Sequence, residues 1–185
     1  AESTSEPGYC APRIAVLGGR RHLVIWHGTA LAGLEPESGK ILWSLPHYVF
    51  GGIAISPPAI VGDRLVCSSQ YEGTMMLRFK PGVAEPDVLW KASAGTVPER
   101  QWKKAGFNTT MSTVLLLDGH VYGVSLYGET CCLSGETGQR LWTTLEPTSG
   151  GVLPRERWST LFMVPHGPRV FLFNANALEE EWSGL

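Results

Sequence analysis

The sequence predicts an all-β chain in which a four-stranded unit repeats, a partial β-propeller of about three and a half blades. Three observations support this fold class. A Leu-Trp pair recurs about every 50 residues and ends at Trp43, Trp90 and Trp142. Gly and Asp mark hairpin turns between short runs rich in Val, Ile, Leu and Tyr. No segment keeps a helical period over several turns.

The first blade is predicted over residues 11–45. Its four strands are expected at 13–17, 22–26, 29–35 and 41–45. These runs hold β-branched and large apolar residues, which favour strands, and turn-forming residues separate them. An antiparallel four-stranded sheet follows from this pattern.

The second and third blades are predicted over residues 56–91 and 112–145. The block at 56–69 matches the block at 112–125, and both break at a Gly/Asp pair of hairpin type. The third blade is the clearest copy, and its strands are expected at 112–117, 120–125, 129–134 and 140–144. The second blade is the more divergent copy, because a longer loop precedes its last strand.

Half of a fourth blade follows at 159–174, with strands at 159–165 and 169–174. A propeller closes with about four to eight blades, so residues 1–185 are expected to form a single-domain fragment of a larger propeller. The remaining blades of that propeller are its expected partners. The edge left open at the fourth blade is expected to pair readily with other chains. A β-sandwich also has many short strands, but it gives no reason for the turn chemistry to repeat.

The matching segments 32–43 and 131–142 share a Leu, a polar stretch, a Gly and a closing Leu-Trp. They resemble the pyrroloquinoline-quinone-like (PQQ-like) β-propeller repeats, in particular those of planctomycete-type proteins. In such blades the Gly opens a tight turn and the Trp packs between neighbouring blades. The resemblance therefore implies a structural role for Trp43, Trp90 and Trp142 rather than ligand stacking.

Composition narrows the class of protein. The chain has 17% charged residues, a formal net charge of −2 and a pI of 6.2, which does not favour a nucleic-acid surface. No apolar run is long enough for a membrane helix, and residues 1–8 do not have the pattern of a signal peptide, although an upstream one is compatible with the sequence. The family resemblance implies a periplasmic or extracellular protein.

The connections between blades, at 46–55, 93–111 and 146–158, are the expected place for a site, because rigid strands hold variable loops there. A basic and aromatic patch for an anionic or peptide-like partner is one hypothesis, and ordinary solvated loops are the other. The candidate residues for binding a ligand or partner are Arg100, Trp102, Lys103, Asn108, Arg155, Arg157 and Trp158.

A non-catalytic module that binds or scaffolds a protein or small ligand is the predicted function, and no cofactor is expected. Related repeats occur in an outer-membrane β-barrel assembly lipoprotein. They also occur in quinoprotein dehydrogenases, which hold PQQ with calcium and a ring of two adjacent cysteines, so a dehydrogenase fragment is the alternative. The aspartates argue against it, because Asp63 and Asp118 belong to predicted hairpin turns and Asp87 begins a strand.

The adjacent Cys131 and Cys132 align with Met75-Met76 of the second blade and with residues 32–33 of the first. Neighbouring strand residues point to opposite faces, and their Cα atoms, about 3.8 Å apart, are closer than disulfides prefer. Two buried thiols are therefore predicted rather than a vicinal disulfide. Neither the cysteines nor the scattered histidines have the spacing of a metal site.

Overall fold

The chain folds into three four-stranded antiparallel sheets and a two-stranded one. The structure, a computed structural model, describes residues 7–92, 106–151 and 160–174. The first sheet contains β1 (Arg13–Leu17), β2 (Arg20–His27), β3 (Ala30–Leu34) and β4 (Ile41–Pro46); the second contains β5 (Ala59–Val61), β6 (Arg64–Ser69), β7 (Gly73–Arg78) and β8 (Asp87–Ala92); the third contains β9 (Leu115–Leu117), β10 (His120–Val124), β11 (Thr130–Ser134) and β12 (Arg140–Thr144); the last contains β13 (Leu161–His166) and β14 (Arg169–Asn174).

Strands pair in chain order within each sheet, so each sheet is a β-meander and corresponds to one blade. Helix in the described residues is limited to a 3-10 turn, Phe50–Gly52, and a single-turn helix, α1 (Glu146–Ser149), which both lie in connections between sheets. The predicted all-β propeller class is confirmed.

The alignment of the three blades is visible in their hydrogen bonding. In each four-stranded sheet, the pairing of the third with the fourth strand shifts register directly after Gly33, Met76 or Cys132. These three residues occupy the same place in the aligned repeats. The repeat read from the sequence is therefore a repeat of backbone geometry.

The turn that follows the third strand needs glycine in two of the blades. Gly39 and Gly138 both have φ of 68°, in the left-handed region that other residues rarely adopt. Their amides donate to the carbonyls of Glu35 and Ser134 at 2.9 and 2.8 Å, respectively. The two tight turns are thus built alike.

The first strand of the third blade begins three residues later than expected. It starts at Leu115 rather than at Ser112. The carbonyl of Ser112 accepts hydrogen bonds from the hydroxyls of Ser56 and Thr109, at 2.8 and 2.9 Å. Since Ser112 bonds to the preceding connections, it is not available to a strand ladder.

The core lies between the sheets rather than within any one of them. Trp43, Leu77 and Phe79 belong to a buried cluster between the first and second sheets. A second cluster between the second and third sheets includes Met76 and Cys131. Adjacent residues such as Met75 and Met76 fall in different clusters because strand side chains alternate between faces.

The three repeated tryptophans occupy different environments. Trp43 is buried against the second blade, and the indole of Trp90 donates to the carbonyl of Gly135 in the third blade at 2.8 Å. Trp142 is 46% exposed, which differs from the predicted packing between blades. The sheet that follows Trp142 contains only two strands in the described part of the chain, so it covers less of the indole than a four-stranded blade would.

Candidate functional site

One end of the sheets carries the connections from blade to blade, and we call it the loop face. Second strands turn into third strands there, as at the pairs His27–Ala30 and Val124–Thr130. The fourth strands end at the same level, where Ala30 pairs with Pro46 and Thr130 with Thr144. The loop face is therefore the end at which each connection leaves its blade.

Most of the predicted site residues fall outside the described ranges. These are Arg100, Trp102, Lys103, Arg155, Arg157 and Trp158. In the sequence they follow β8 and β12, both of which end at the loop face. Their role in binding stays a prediction.

Asn108 is the predicted site residue that the structure describes, and its side chain is buried, at 4% exposure. Its side-chain amide donates to the backbone carbonyl of Gln70 at 2.8 Å, and its backbone carbonyl accepts from the backbone amide of Leu126 at 3.0 Å. These contacts join the second blade to the third. A role for Asn108 in binding a partner stays a prediction, and the contacts it makes are structural.

A buried polar seam continues from Asn108 along the same interface. The Thr74 hydroxyl donates to the carbonyl of Phe107 at 2.6 Å, and the Ser68 hydroxyl donates to the same carbonyl at 3.2 Å. The amide of Thr109 donates to the Ser68 hydroxyl at 3.2 Å. Strand ends of the second blade thus fix the connection that leads to the third.

Within the described ranges, several polar atoms in this region have no hydrogen-bond partner although they are buried. They are Oγ of Ser69, both polar side-chain atoms of Gln70, Oδ1 of Asn108 and Oγ1 of Thr110. Buried polar atoms are nearly always paired, and leaving one unpaired costs about 1 to 3 kcal/mol. A concentration of such atoms is a signal of function that the sequence did not give, because no motif marks Gln70.

Large apolar side chains are exposed around this polar region. Phe50 and Tyr71 meet edge to face, with ring centroids 5.3 Å apart, and are 59% and 41% exposed. Tyr48, Met111 and Tyr127 are exposed as well. We call Tyr48, Phe50, Tyr71, Met111 and Tyr127 the loop-face aromatic surface.

The aromatic surface is attached to the loop face by backbone hydrogen bonds. On either side of Tyr48, the amides of His47 and Val49 donate to the carbonyls of Thr29 and Gly28, at 3.0 and 2.7 Å. Tyr71 follows Gln70, whose carbonyl holds Asn108, and Tyr127 follows Leu126, which bonds to the same asparagine. Residues of all three blades thus contribute to one face.

His47 lies beneath this surface and is buried at 2% exposure. Its ring is 5.7 Å from the ring of Trp26, and neither of its nitrogens has a hydrogen-bond partner among the described residues. Burial and, to a lesser extent, the nearby positive charge of Lys91 together lower the pKa of His47 to about 4. The imidazole is therefore neutral at pH 7.

The adjacent cysteines lie in β11, where Cys131 pairs with Gly123 and Cys132 with Tyr122. Cys131 belongs to the core against the second blade, while Cys132 lies beside Tyr122 and Trp142. Both are buried thiols, and neither forms a disulfide. Burial also raises the pKa of Cys132, which disfavours its reactive thiolate form.

Acidic side chains do not gather into a binding site in the ranges that the structure describes. Within them, no group of three or more His, Cys, Asp or Glu side chains has the geometry to hold a metal ion. Asp63 and Asp118 occupy hairpin turns, as predicted. Asp87 is paired with Lys80 at 2.8 Å, and hydrogen bonding to that lysine lowers the pKa of the carboxyl.

The third blade and the two-stranded sheet enclose an apolar groove of about 240 Å³. Its lining includes Leu115, Tyr122, Thr130, Trp142, Met163 and Leu172. Thr130 and Thr144, which pair at the loop-face end of the third blade, also line it, so the groove reaches that end. No motif in the sequence indicates this groove.

Comparison with known proteins agrees with this architecture. A family model described as outer membrane protein assembly factor BamB matches residues 3–144. The crystal structure of BamB from Moraxella catarrhalis is similar, with a TM-score of 0.60 at 17% identity, over 93% of this chain and 46% of that one. The chain thus spans about half the length of that structure, and at this identity the likeness shows the fold alone. The search of curated proteins gives no match.

In the described ranges, no helix has the length and apolarity to cross a membrane.

Proposed function

Because the chain belongs to the PQQ-like repeat family described as outer membrane protein assembly factor BamB, we propose that it is a non-catalytic module that binds another protein. The proposed binding site is the loop-face aromatic surface. The observation that carries the proposal is the exposed Phe50–Tyr71 pair, whose rings meet edge to face on the loop face.

The composition of the surface suits a protein partner. Tyr, Phe and Met are enriched where proteins bind one another, and exposed apolar clusters on a folded chain mark such places. Among the described residues near the surface, Glu72 and Lys91 form a partly exposed ion pair at 4.0 Å, so the positive charge of the lysine is balanced by a carboxylate. An uncharged peptide segment fits this chemistry better than an anion. Apolar contact with the exposed rings of Phe50 and Tyr71 would supply the affinity for such a segment.

The family description supports an exported setting. We place the chain in the periplasm or outside the cell, as part of a larger protein that assembles with others. No cofactor is required for this role. The alternative of a PQQ-dependent dehydrogenase receives little support, because the three aspartates serve turns and an ion pair in the structure.

Selection of peptides from a displayed random library against the chain tests the proposal. Bound peptides are then titrated against the double variant Phe50→Ser/Tyr71→Ser and against a control, Ile14→Ser/Val16→Ser, which removes two other exposed apolar side chains, from β1. We expect the first variant to lose at least about ten-fold in affinity and the control to change by less than about two-fold.

Two results would overturn the proposal. One is the recovery of no saturable peptide ligand. The other is a set of ligands that bind both variants as well as the unchanged chain. Addition of PQQ with Ca²⁺ to the same protein examines the dehydrogenase alternative, because tight, saturable binding of the quinone would favour it.

A further inference from the structure

The connection that follows β4 carries two residues of the loop-face aromatic surface, and its side chains alternate between inside and outside. His47 and Val49 are buried at 2% and 1% exposure, while Tyr48 and Phe50 are 60% and 59% exposed. Val49 belongs to the core cluster between the first and second sheets. The two inward side chains therefore determine whether the two outward ones stay on the loop face.

Two backbone hydrogen bonds attach the start of this connection to the first blade. The amides of His47 and Val49 donate to the carbonyls of Thr29 and Gly28, at 3.0 and 2.7 Å. The 3-10 turn Phe50–Gly52 follows, and its two glycines have φ of 65° and 66°, in the left-handed region that glycine adopts most easily. A short segment held in this way can move while the sheets beside it stay intact.

The surroundings of the His47 imidazole suit its neutral form. The ring centroid is 5.7 Å from that of Trp26, and among the described residues no group bonds to either ring nitrogen. A protonated imidazole carries two N–H donors, so both donors would be buried without acceptors. Burying a charge in this way costs far more than burying the neutral ring.

Charged and titratable groups on the elements packed around His47 do not offset this cost. They are Lys91 of β8 with its partner Glu72, Cys67 of β6, Cys10 and Arg13 at the start of the first blade, and His27 of β2. Glu72 already balances the charge of Lys91, 4.0 Å away, and burial raises the pKa of both thiols, which are therefore neutral. Protonation of His47 is thus accommodated by movement of the ring toward water.

We propose that His47 is a pH-sensitive switch for the loop-face aromatic surface. The neutral ring keeps the connection docked at pH 7. The protonated ring leaves its buried position and takes Tyr48 and Phe50 away from Tyr71 of the second blade. The inference rests on the proposed binding role of this surface, which mild acid then switches off.

The direction and size of the effect follow from proton linkage. The pKa of His47 is about 4 with the ring buried, against 6.5 as the ordinary value for a ring in water. The undocked form therefore takes up the proton first as pH falls. Between pH 7 and pH 5 the equilibrium between the docked and undocked connection should shift about twenty-fold toward the undocked form.

Amide hydrogen exchange, followed by NMR, tests the switch without any partner. We expect the amides of His47 and Val49 to lose protection about twenty-fold between pH 7 and pH 5, after correction for the intrinsic exchange rate. Their protection should also be lower than that of β6 amides such as Cys67. It should change little in low concentrations of urea, because a local opening exposes little surface.

Matched variants identify the group responsible. His47→Leu and His47→Gln cannot take up a proton at this position, and each should reduce the pH effect to less than about two-fold. His27→Gln removes the neighbouring, partly exposed histidine and should leave the effect at about twenty-fold.

Peptides selected on the surface connect the switch to binding. Between pH 7 and pH 5, their affinity for the unchanged chain should fall at least about two-fold more than their affinity for His47→Leu, because fewer molecules of the unchanged chain remain docked.

Three results would overturn the proposal. Urea could lower the protection of the His47 and Val49 amides as steeply as that of β6, the pH effect could persist in both His47 variants, or selected peptides could show the same pH dependence with and without His47. If no peptide is recovered, the proposed function fails, and the exchange measurement alone then decides whether the switch exists.

Discussion

The indole N–H of Trp43 donates to Nδ1 of His22 across 3.0 Å, and both side chains are buried between the first two blades. The two residues are on β4 and β2, and Phe79 of the second blade contacts both rings. The repeated tryptophan of the first blade is thus a packing residue that also satisfies a buried histidine.

Replacing Trp43 with phenylalanine keeps an aromatic ring but leaves Nδ1 of His22 without its donor. We expect the free energy of unfolding to fall by about 1 to 3 kcal/mol, the usual cost of an unpaired buried polar atom. Urea denaturation at pH 7 measures it. The control is Trp142→Phe, whose side chain is 46% exposed, and for which a change within about 0.5 kcal/mol is expected. Equal losses in the two variants would contradict the role of the hydrogen bond.

The blades were predictable because their pattern is local. Alternating apolar residues set each strand, and glycine at 39 and 138 sets the turns through a backbone conformation that few other residues adopt. The aligned Leu-Trp pairs set the register between repeats. The strand and turn signals each lie within about 15 residues, and the Leu-Trp pairs recur within the one chain, so one sequence is enough to read them.

The candidate site was harder to predict because it depends on how blades dock. Gln70 and Asn108 are 38 residues apart, and they come together only when the connection at 106–114 packs on the second blade. Burial of Asn108 follows from the same docking. The different exposures of Trp43 and Trp142 also depend on what stands beyond each blade, which the repeat motif does not encode.

Gly33 is the position in β3 at which Trp43 lies closest. A Cβ atom there would stand 2.2 Å from Nε1 of Trp43, far inside contact distance. We therefore expect Gly33→Ala to destabilise the chain by about 1 to 3 kcal/mol through overpacking. In a Trp43→Leu background the same substitution should cost less, since the ring that it strikes is gone. A double-mutant cycle in urea measures this coupling, and additive effects would refute it.

Acid should destabilise the protein through His47. Its pKa is about 4 in the folded chain against 6.5 as the ordinary value, so the unfolded chain binds more protons as pH falls from about 6.5 to 4. The loss over this window amounts to up to about 3 kcal/mol. The buried His22, whose pKa burial also lowers, acts in the same direction.

The variant His47→Leu separates the two histidines. Unfolding free energies at pH 7 and pH 5 should differ less in this variant than in the unchanged chain, whereas His166→Gln, at an exposed position, should leave the difference as it was. An identical pH dependence in all three proteins would show that His47 is not the group responsible.

Thiol labelling tests the environments of the four cysteines. Cys67, Cys131 and Cys132 are buried, and burial raises the pKa of Cys67 to about 12, while Cys10 is partly exposed. We expect iodoacetamide to add once per native chain, at Cys10, and four times after unfolding in urea without a reductant. The variant Cys10→Ser should then take up no label while folded, because the remaining thiols are enclosed by the blades. Two additions in the unfolded, unreduced chain would reveal a disulfide and contradict the thiol assignment of Cys131 and Cys132.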